Sequence, residues 1–187
     1  MKRSTAILAL ALAILAGGTA SRVLAQAQAA NTQVKPDDAL SIDANLKYLE
    51  DNKVKKGVIT RPSGLQFRIL QNGFGKRPQR TDTVKVYYTG KLINGVVFDG
   101  TSPGLPASLT LSSVIPGWIE ALQLMREGDR WLLVIPPNLG YGVRGAAEGT
   151  IPPNQTLIFD IKLVETTPAP RRGEKGYIPD PSEREEQ

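Results

Sequence analysis

The sequence predicts an α+β domain in which a curved, antiparallel half-barrel sheet of five strands wraps around one short helix, preceded by a short N-terminal helix. Three observations carry this prediction. From Ser63 onwards apolar and polar residues alternate with a period of two, which is typical of half-buried strands. Only residues 117–125 among these strands repeat their apolar side chains at helical spacing, and the turn signal Asn94-Gly95 favours antiparallel pairing.

The first 25 residues have the features of a secretory signal peptide. Lys2 and Arg3 form a basic start, residues 6–16 form an apolar stretch too short to span a membrane, and residues 23–25 offer small side chains for cleavage. An uncleaved amphipathic anchor is the alternative, which is disfavoured because charged and apolar residues are segregated rather than periodic. We therefore expect residues 1–25 to be removed on export.

Composition restricts the chemistry that is available. Without residues 1–25 the chain keeps 20 basic and 18 acidic residues, a balance that gives little support for nucleic-acid binding. The chain contains no cysteine and no histidine. These absences exclude disulfides, a lipidated cysteine, ordinary zinc sites, and catalysis of the Cys–His and Ser–His–Asp types. We expect no cofactor, no metal and a reaction that uses carboxylate, lysine or tyrosine groups or needs no proton transfer.

The segment before the domain predicts a linker and a helix. Residues 26–40, rich in alanine, glutamine and asparagine, are interpreted as a flexible linker. Residues 41–57 predict a short amphipathic helix, because Ile42, Leu46 and Leu49 follow each other at i, i+4 and i+7. This narrow apolar stripe either docks on the chain's own domain or forms a dimer interface.

The domain itself is predicted over residues 58–165. Strand patterns occupy residues 65–69, 84–88, 109–111, 130–135 and 157–163. On the helix between them, apolar side chains share one side: Trp118, Ala121, Leu122 and Met125. After Glu165 the chain is rich in proline and charge, so residues 166–187 predict a disordered tail.

One motif is misleading. Residues 140–145 match the dinucleotide fingerprint G-x-G-x-x-G, and Glu165 stands where a ribose-binding acid would be expected. Prolines at 136–137 and 152–153 exclude the strand–turn–helix context, so no helix N-terminus is available to bind a phosphate. We interpret the glycines as turning points of a surface loop with Tyr141 at its base.

Aromatic residues come from several separate segments of the domain. Tyr88, Phe98, Tyr141 and Phe159 lie far apart in the sequence, and Trp118 opens the predicted helix. Each of them taken singly is typical of a core residue. Together with the aspartate that follows Phe98, they are also typical of a pocket for a small molecule or peptide.

Four motifs carry a resemblance to a known family. They are VYYTGKLINGVVFD, VIPGWIEALQLMREGDR, IPPNLGYGVRG and IPPNQTLIFDIKLVE. In this order and spacing they resemble the FKBP-type peptidyl-prolyl cis-trans isomerases, the immunophilins that bind tacrolimus and rapamycin, over residues 63–165. The segment GVITRPSGLQFRIL resembles the exported bacterial branch, which includes the macrophage infectivity potentiator type. Those relatives have a long helical dimerisation region, whereas this chain has only the 41–57 helix.

The resemblance implies a pocket between the sheet and its helix. The implied catalytic residues are Tyr88, Phe98, Asp99, Trp118, Tyr141 and Phe159, and the implied substrate-binding residues are Leu109, Val114, Ile115 and Ile151. The implied activity is that of a peptidyl-prolyl cis-trans isomerase (EC 5.2.1.8), which accelerates rotation about Xaa–Pro bonds without covalent or acid–base chemistry. We expect a folding assistant of the periplasm, a monomer or weak dimer, whose partners are proline-containing unfolded or partly folded polypeptides and macrolide inhibitors.

Two departures from the family pattern affect these expectations. Leu109 stands where relatives usually carry phenylalanine, so we expect a smaller pocket wall and weaker macrolide binding. Many relatives carry an arginine after the Phe–Asp pair, and its absence here predicts that Asp99 is held less firmly. The segment between Tyr141 and Ile151 is too short for an inserted chaperone domain. A binding module or holdase chaperone with little catalysis, on the same fold, is the alternative function.

Overall fold

The computed structural model of the protein describes residues 39–170 and 174–176. The predicted signal peptide, most of the predicted linker and most of the predicted tail lie outside the described residues. The elements follow in this order: α1 (Ile42–Lys53), β1 (Ile59–Thr60), β2 (Gln66–Gln71), β3 (Thr83–Lys91), β4 (Val97–Gly100), β5 (Ala107–Thr110), α2 (Pro116–Leu124), β6 (Arg130–Ile135) and β7 (Leu157–Thr167). In this part of the chain no helix has the length and apolar character needed to cross a membrane.

The strands form one antiparallel sheet in the order β1-β2-β6-β7-β3-β4, with β5 also beside β3. One edge of β3 pairs with β7 along its whole length. The other edge pairs with β5 at residues 83–86 and with β4 at residues 89–91. Since β4 and β5 lie along the same edge of β3, the seven strands occupy six positions. The five predicted strands are β2, β3, β5, β6 and β7, and the sequence analysis missed the short strands β1 and β4.

The core lies between the concave face of this sheet and α2. Along β7 the alternate residues Leu157, Phe159, Ile161 and Leu163 are all buried, as their period of two predicted. From α2 the predicted side Trp118, Ala121, Leu122 and Met125 is buried against them. Each large side chain buried in this way contributes about 1.5–3 kcal/mol, and the fold depends on this core because the chain has no disulfide.

Helix α1 docks on its own domain, but mainly not through the predicted stripe. Ile42 and Leu46 remain 56% and 54% exposed and Leu49 is half-buried, whereas Asn45 and Asn52 are buried. The predicted docking face was therefore wrong at Ile42 and Leu46, because the fully buried contacts of the helix are made by the two amide side chains. The helix also ends at Lys53, before the predicted stop at Gly57.

Hydrogen bonds explain why two asparagines can be buried here. Asn45 Nδ2 donates to Gln155 Oε1 at 3.2 Å, and Asn45 Oδ1 accepts from the Thr156 N–H at 2.7 Å. Asn52 Nδ2 donates to Gln66 Oε1 at 2.8 Å. Buried polar groups are tolerated when they are paired in this way, so α1 is fastened to β2 and to the start of β7.

The end of the domain lies later than the sequence indicated. Strand β7 continues past Glu165, since Thr166 and Thr167 pair with residues 83–84 of β3. The next residues also contact the domain, because the Ala169 N–H donates to Asp82 Oδ1 at 3.1 Å. The predicted tail boundary was too early because backbone pairing leaves no signal in the polarity of the side chains.

Candidate active site

A cavity of about 260 Å³ opens between the start of α2 and the strands β3, β4 and β7. It is lined by Tyr88, Phe98, Asp99, Leu109, Ser113, Val114, Ile115, Trp118, Tyr141 and Phe159. The structure thus brings together nine of the ten residues that the sequence analysis proposed. Ile151 is missing from the lining, and Ser113 was not foreseen although it directly precedes Val114.

A bulge in β4 brings two consecutive residues to the cavity. The pairing of β3 with β4 matches Gly90 with Asp99 and Lys91 with Val97, which leaves Phe98 as an extra residue. Neighbouring residues of a regular strand point to opposite faces of the sheet. A bulge changes the direction of a side chain locally, and here it allows both Phe98 and Asp99 to line the same cavity.

The start of α2 places the indole at the floor of the cavity. Pro116 occupies the first helical position, where its missing N–H costs nothing. A Cβ on Gly117 would lie 2.6 Å from Ile135 Cγ2, so only glycine lets the first turn pack this closely against β6. The Ile115 carbonyl accepts from the Trp118 N–H at 2.9 Å. Trp118, in the first turn of α2, is consequently only 4% exposed.

Four aromatic rings form the base of the cavity in edge-to-face contact. The Trp118 ring centre lies 5.0 Å from that of Tyr88 and 5.1 Å from that of Phe159, at interplanar angles of 87° and 81°. The Phe98 and Phe159 ring centres lie 5.6 Å apart at 88°. Such pairs contribute about 0.5–1.5 kcal/mol beyond their buried area, so the rings are held in fixed positions before any ligand arrives.

A glycine that the sequence analysis missed makes room for two of these rings. A Cβ on Gly90 would lie 2.6 Å from Phe159 Cε1 and 2.7 Å from Phe98 Cζ. No pattern in the sequence could have revealed this, because the crowding arises between three different strands.

The carboxylate of Asp99 is held by two hydrogen bonds. The Tyr88 hydroxyl donates to Oδ2 at 2.6 Å, and the Gly100 N–H donates to Oδ1 at 2.8 Å. Both carboxylate oxygens therefore have hydrogen-bond partners without the arginine that many relatives carry after the Phe–Asp pair. Burial and the hydrogen bond to Asp99 raise the pKa of Tyr88 well above its ordinary value of 10. The phenol stays protonated at neutral pH and remains a donor.

Tyr141 stands at the mouth of the cavity and is 39% exposed. Burial, and then the charge of Asp99, raise the pKa of its hydroxyl. The loop that follows forms short 3₁₀ turns at Gly142–Arg144 and Ala147–Gly149, with no α-helix before β7. The loop therefore offers no helix N-terminus for a phosphate, as the prolines predicted.

Ile151 pairs with Ala146 at the end of this loop and does not line the cavity. Its backbone exchanges two hydrogen bonds with Ala146, of 2.9 and 3.1 Å, and its side chain is only 3% exposed. Its side chain belongs to the buried core and not to the cavity lining, so its role in substrate binding stays a prediction. Ile151 instead fastens the loop that carries Tyr141.

Comparison with known proteins decides the family. A family model for FKBP-type peptidyl-prolyl cis-trans isomerases matches residues 75–164, and a model for the domain amino-terminal to these isomerases matches residues 13–69. A solved peptidyl-prolyl cis-trans isomerase from Pseudomonas syringae is 35% identical, with a TM-score of 0.64, and the match covers 74% of this chain and all of that chain. The chain belongs to the FKBP-type peptidyl-prolyl cis-trans isomerase family.

Curated relatives of this FKBP-type chain are longer than it is. The FKBP-type 22 kDa peptidyl-prolyl cis-trans isomerase of Escherichia coli is 54% identical over 121 residues, which are 64% of this chain and 58% of the relative. The outer membrane protein MIP of Legionella longbeachae is 50% identical over 123 residues, which are 65% of this chain and 52% of the relative. The chain thus spans between half and three fifths of these relatives.

Proposed function

We propose that this protein is a peptidyl-prolyl cis-trans isomerase that accelerates rotation about Xaa–Pro bonds in exported polypeptides and so assists their folding. The observation that carries this proposal is the cavity floored by Trp118 beside the hydrogen-bonded carboxylate of Asp99. At about 260 Å³ it is smaller than the roughly 300–1,000 Å³ of sites for drug-sized ligands. Its size and aromatic floor suit one prolyl ring.

The reaction needs an environment rather than a nucleophile. Rotation about the peptide bond is opposed by a barrier of about 18–20 kcal/mol, because resonance stiffens the C–N bond. A twisted amide has lost that resonance and part of the dipole of its carbonyl. A site that is dry and apolar therefore favours the twisted amide over the planar one, and this difference in binding lowers the barrier.

Each part of the cavity has a role in this mechanism. Trp118, Phe98 and Phe159 supply the apolar surface on which the prolyl ring rests, and Leu109 and Val114 extend it as substrate-binding walls. The Tyr141 hydroxyl and the Ile115 N–H donate to substrate carbonyls and fix the peptide's orientation. Asp99, held by Tyr88, places a carboxylate edge near the rotating carbonyl and does not act as a base.

We place this activity in the periplasm. The N-terminal 25 residues support export by their basic start, apolar stretch and small residues before the cleavage point. The Legionella relative is named as an outer membrane protein, which is consistent with an exported chain.

We also propose that tacrolimus and rapamycin occupy the same cavity, with affinity reduced by the smaller Leu109 wall, and that the protein is a monomer or weak dimer. Support for the second statement is that α1 is fastened to its own domain by Asn45 and Asn52. Sedimentation equilibrium between micromolar and millimolar concentrations tests it, and a dimer that persists at the lowest concentration would contradict it.

The deciding experiment measures cis-trans isomerisation of short Leu-Pro and Phe-Pro peptides by NMR exchange. We compare wild type with Asp99→Asn and Trp118→Phe. The matched controls are Asp160→Asn, a carboxylate paired with Arg130 outside the cavity, and Trp131→Phe, an equally buried indole that stacks on Phe67.

We expect the wild type to accelerate isomerisation. Both cavity variants should lose at least tenfold of this acceleration, and both controls should stay within twofold of the wild type. Equal losses of activity in the cavity variants and the controls would contradict the assignment of this cavity as the active site. A folded wild-type protein without acceleration would overturn the enzymatic proposal and leave the binding module or holdase chaperone as the function.

A further inference from the structure

The surface at the far end of α2 carries an exposed phenylalanine among cations. Phe74 is 92% exposed, although it lies in an ordered loop between β2 and β3. Lys76, Arg77 and Arg80 follow it within six residues, and Arg126 approaches from the turn after α2. We name residues 73–80 together with Arg126 the cationic loop.

The exposure of Phe74 is imposed by the backbone on both of its sides. A Cβ on Gly73 would lie 2.3 Å from the Asp129 backbone nitrogen, and a Cβ on Gly75 would lie 2.6 Å from Glu127 Cβ. The loop is thus pressed against the turn at residues 126–129. Hydrogen bonds from the Gly75 N–H to the Glu127 carbonyl and from the Glu127 N–H to the Lys76 carbonyl, of 3.1 and 3.0 Å, fasten it there. Phe74 is consequently held outward rather than folded onto the core.

The carboxylates near the loop face the backbone. Asp82 accepts from the N–H groups of Gln79 and Ala169, at 2.8 and 3.1 Å. Glu127 accepts from the N–H groups of Thr166 and Lys76, at 2.7 and 3.3 Å.

Asp129 follows the same pattern, since it accepts from the N–H groups of Gly73 and Arg126. The ion pairs formed by described residues involve none of the four cations of the loop. The outward surface therefore combines one apolar projection with four cations that form no ion pair among the described residues, while the three nearby carboxylates accept from backbone N–H groups.

We propose that the cationic loop docks the domain on an anionic phospholipid surface, with Phe74 inserted at the boundary between headgroups and acyl chains. Aromatic residues flanked by lysine and arginine are typical of interfacial membrane contacts, where cations bind anionic headgroups. A projecting side chain fits a yielding lipid surface better than it fits a folded partner, which would have to offer a pocket for it. Because the cavity with Trp118 lies at the N-terminal end of α2 and the loop at its C-terminal end, the docked domain would keep its cavity open to polypeptides.

Vesicle binding tests the proposal. The protein is recovered after export, with its N-terminus verified by mass spectrometry, and sedimented with vesicles of phosphatidylcholine alone or with 30% phosphatidylglycerol. Phe74→Ser and the double variant Lys76→Gln with Arg77→Gln are compared with the wild type. The controls are Leu105→Ser, an equally apolar residue that is 70% exposed, and the double variant Lys55→Gln with Lys56→Gln, which removes the same charge elsewhere.

We expect the wild type to bind only the anionic vesicles, with binding that weakens between 50 and 500 mM salt. The Phe74 and Lys76/Arg77 variants should each bind about tenfold less, and both controls should stay within twofold. Equal losses in variants and controls, or equal binding to both vesicle types, would overturn the proposal. Binding to poly-glutamate without binding to vesicles would also overturn it and would assign the loop to an acidic polypeptide.

A fluorescent label gives a direct readout of insertion. Since the chain has no cysteine, Phe74→Cys and Leu105→Cys each provide a single site for an environment-sensitive dye. The dye at position 74 should shift its emission to the blue on anionic vesicles, and the dye at position 105 should not. An unchanged spectrum at position 74 while the protein sediments with vesicles would contradict insertion at this loop. Far-UV circular dichroism and thermal unfolding verify that each variant is folded.

Discussion

Replacing Gly90 with alanine should damage the cavity although none of the residues that line it is substituted. The added Cβ would lie 2.6 Å from Phe159 Cε1 and 2.7 Å from Phe98 Cζ, whereas ordinary contacts begin near 3.4 Å. The two rings must therefore move by about 0.7–0.8 Å. Gly90 lies in β3 and its φ is not positive, so alanine itself is not strained there.

The magnitude of the effect follows from this displacement. Overpacking of a filled core costs about 1–3 kcal/mol, and a misplacement near 1 Å in a site costs on the order of 10²-fold in rate. We expect Gly90→Ala to lose about 1–3 kcal/mol of unfolding free energy and to lower kcat/KM by about 10–100-fold. Urea unfolding and NMR exchange on a Leu-Pro peptide measure the two quantities on the same samples.

Gly75→Ala is the matched control for this prediction. Its Cβ would lie 2.6 Å from Glu127 Cβ, an equal crowding far from the cavity. It should lose comparable stability and keep kcat/KM within twofold at a temperature where both variants are folded. Wild-type activity in Gly90→Ala, or the same loss of activity in Gly75→Ala, would refute the reasoning that ring position controls the rate.

Three further predictions concern pH, ligand size and the N-terminal helix. The pKa values of Tyr88 and Tyr141 are raised above 10 and the chain has no histidine, so kcat/KM should be constant from about pH 6 to 9. The stability contributed by the neutral phenols should be lost only as pH rises above about 10. A change in rate near pH 6.5 would contradict this prediction. Leu109→Phe should strengthen tacrolimus binding at least threefold by calorimetry, and unchanged affinity would show that this wall is not limiting. Asn45→Ala should lower the free energy of unfolding in urea by about 2–3 kcal/mol, because it leaves the Thr156 N–H unpaired. Replacing the exposed Leu46 with alanine should lower it by under about 1 kcal/mol. Equal losses in the two variants would restore the apolar stripe as the docking face.

Local patterns in the sequence determined the elements, and the family resemblance of its motifs implied most of the site. The period of two placed Val84, Val86 and Tyr88 on one face of β3, and helical spacing placed Trp118 and Leu122 on the buried side of α2. These predictions succeed because the direction of a side chain within one element follows from its spacing alone.

Only the tertiary structure decided the features that depend on how elements pair. The bulge at Phe98 arises from the register of β4 against β3, and the pairing of Ile151 with Ala146 closes the loop that follows Tyr141. The docking of α1 through Asn45 requires acceptors and donors that lie more than a hundred residues away along the chain. The role of Gly90 requires two rings from other strands. None of these contacts is encoded in a local pattern, because each is fixed by partners that meet only when the sheet closes around its helix.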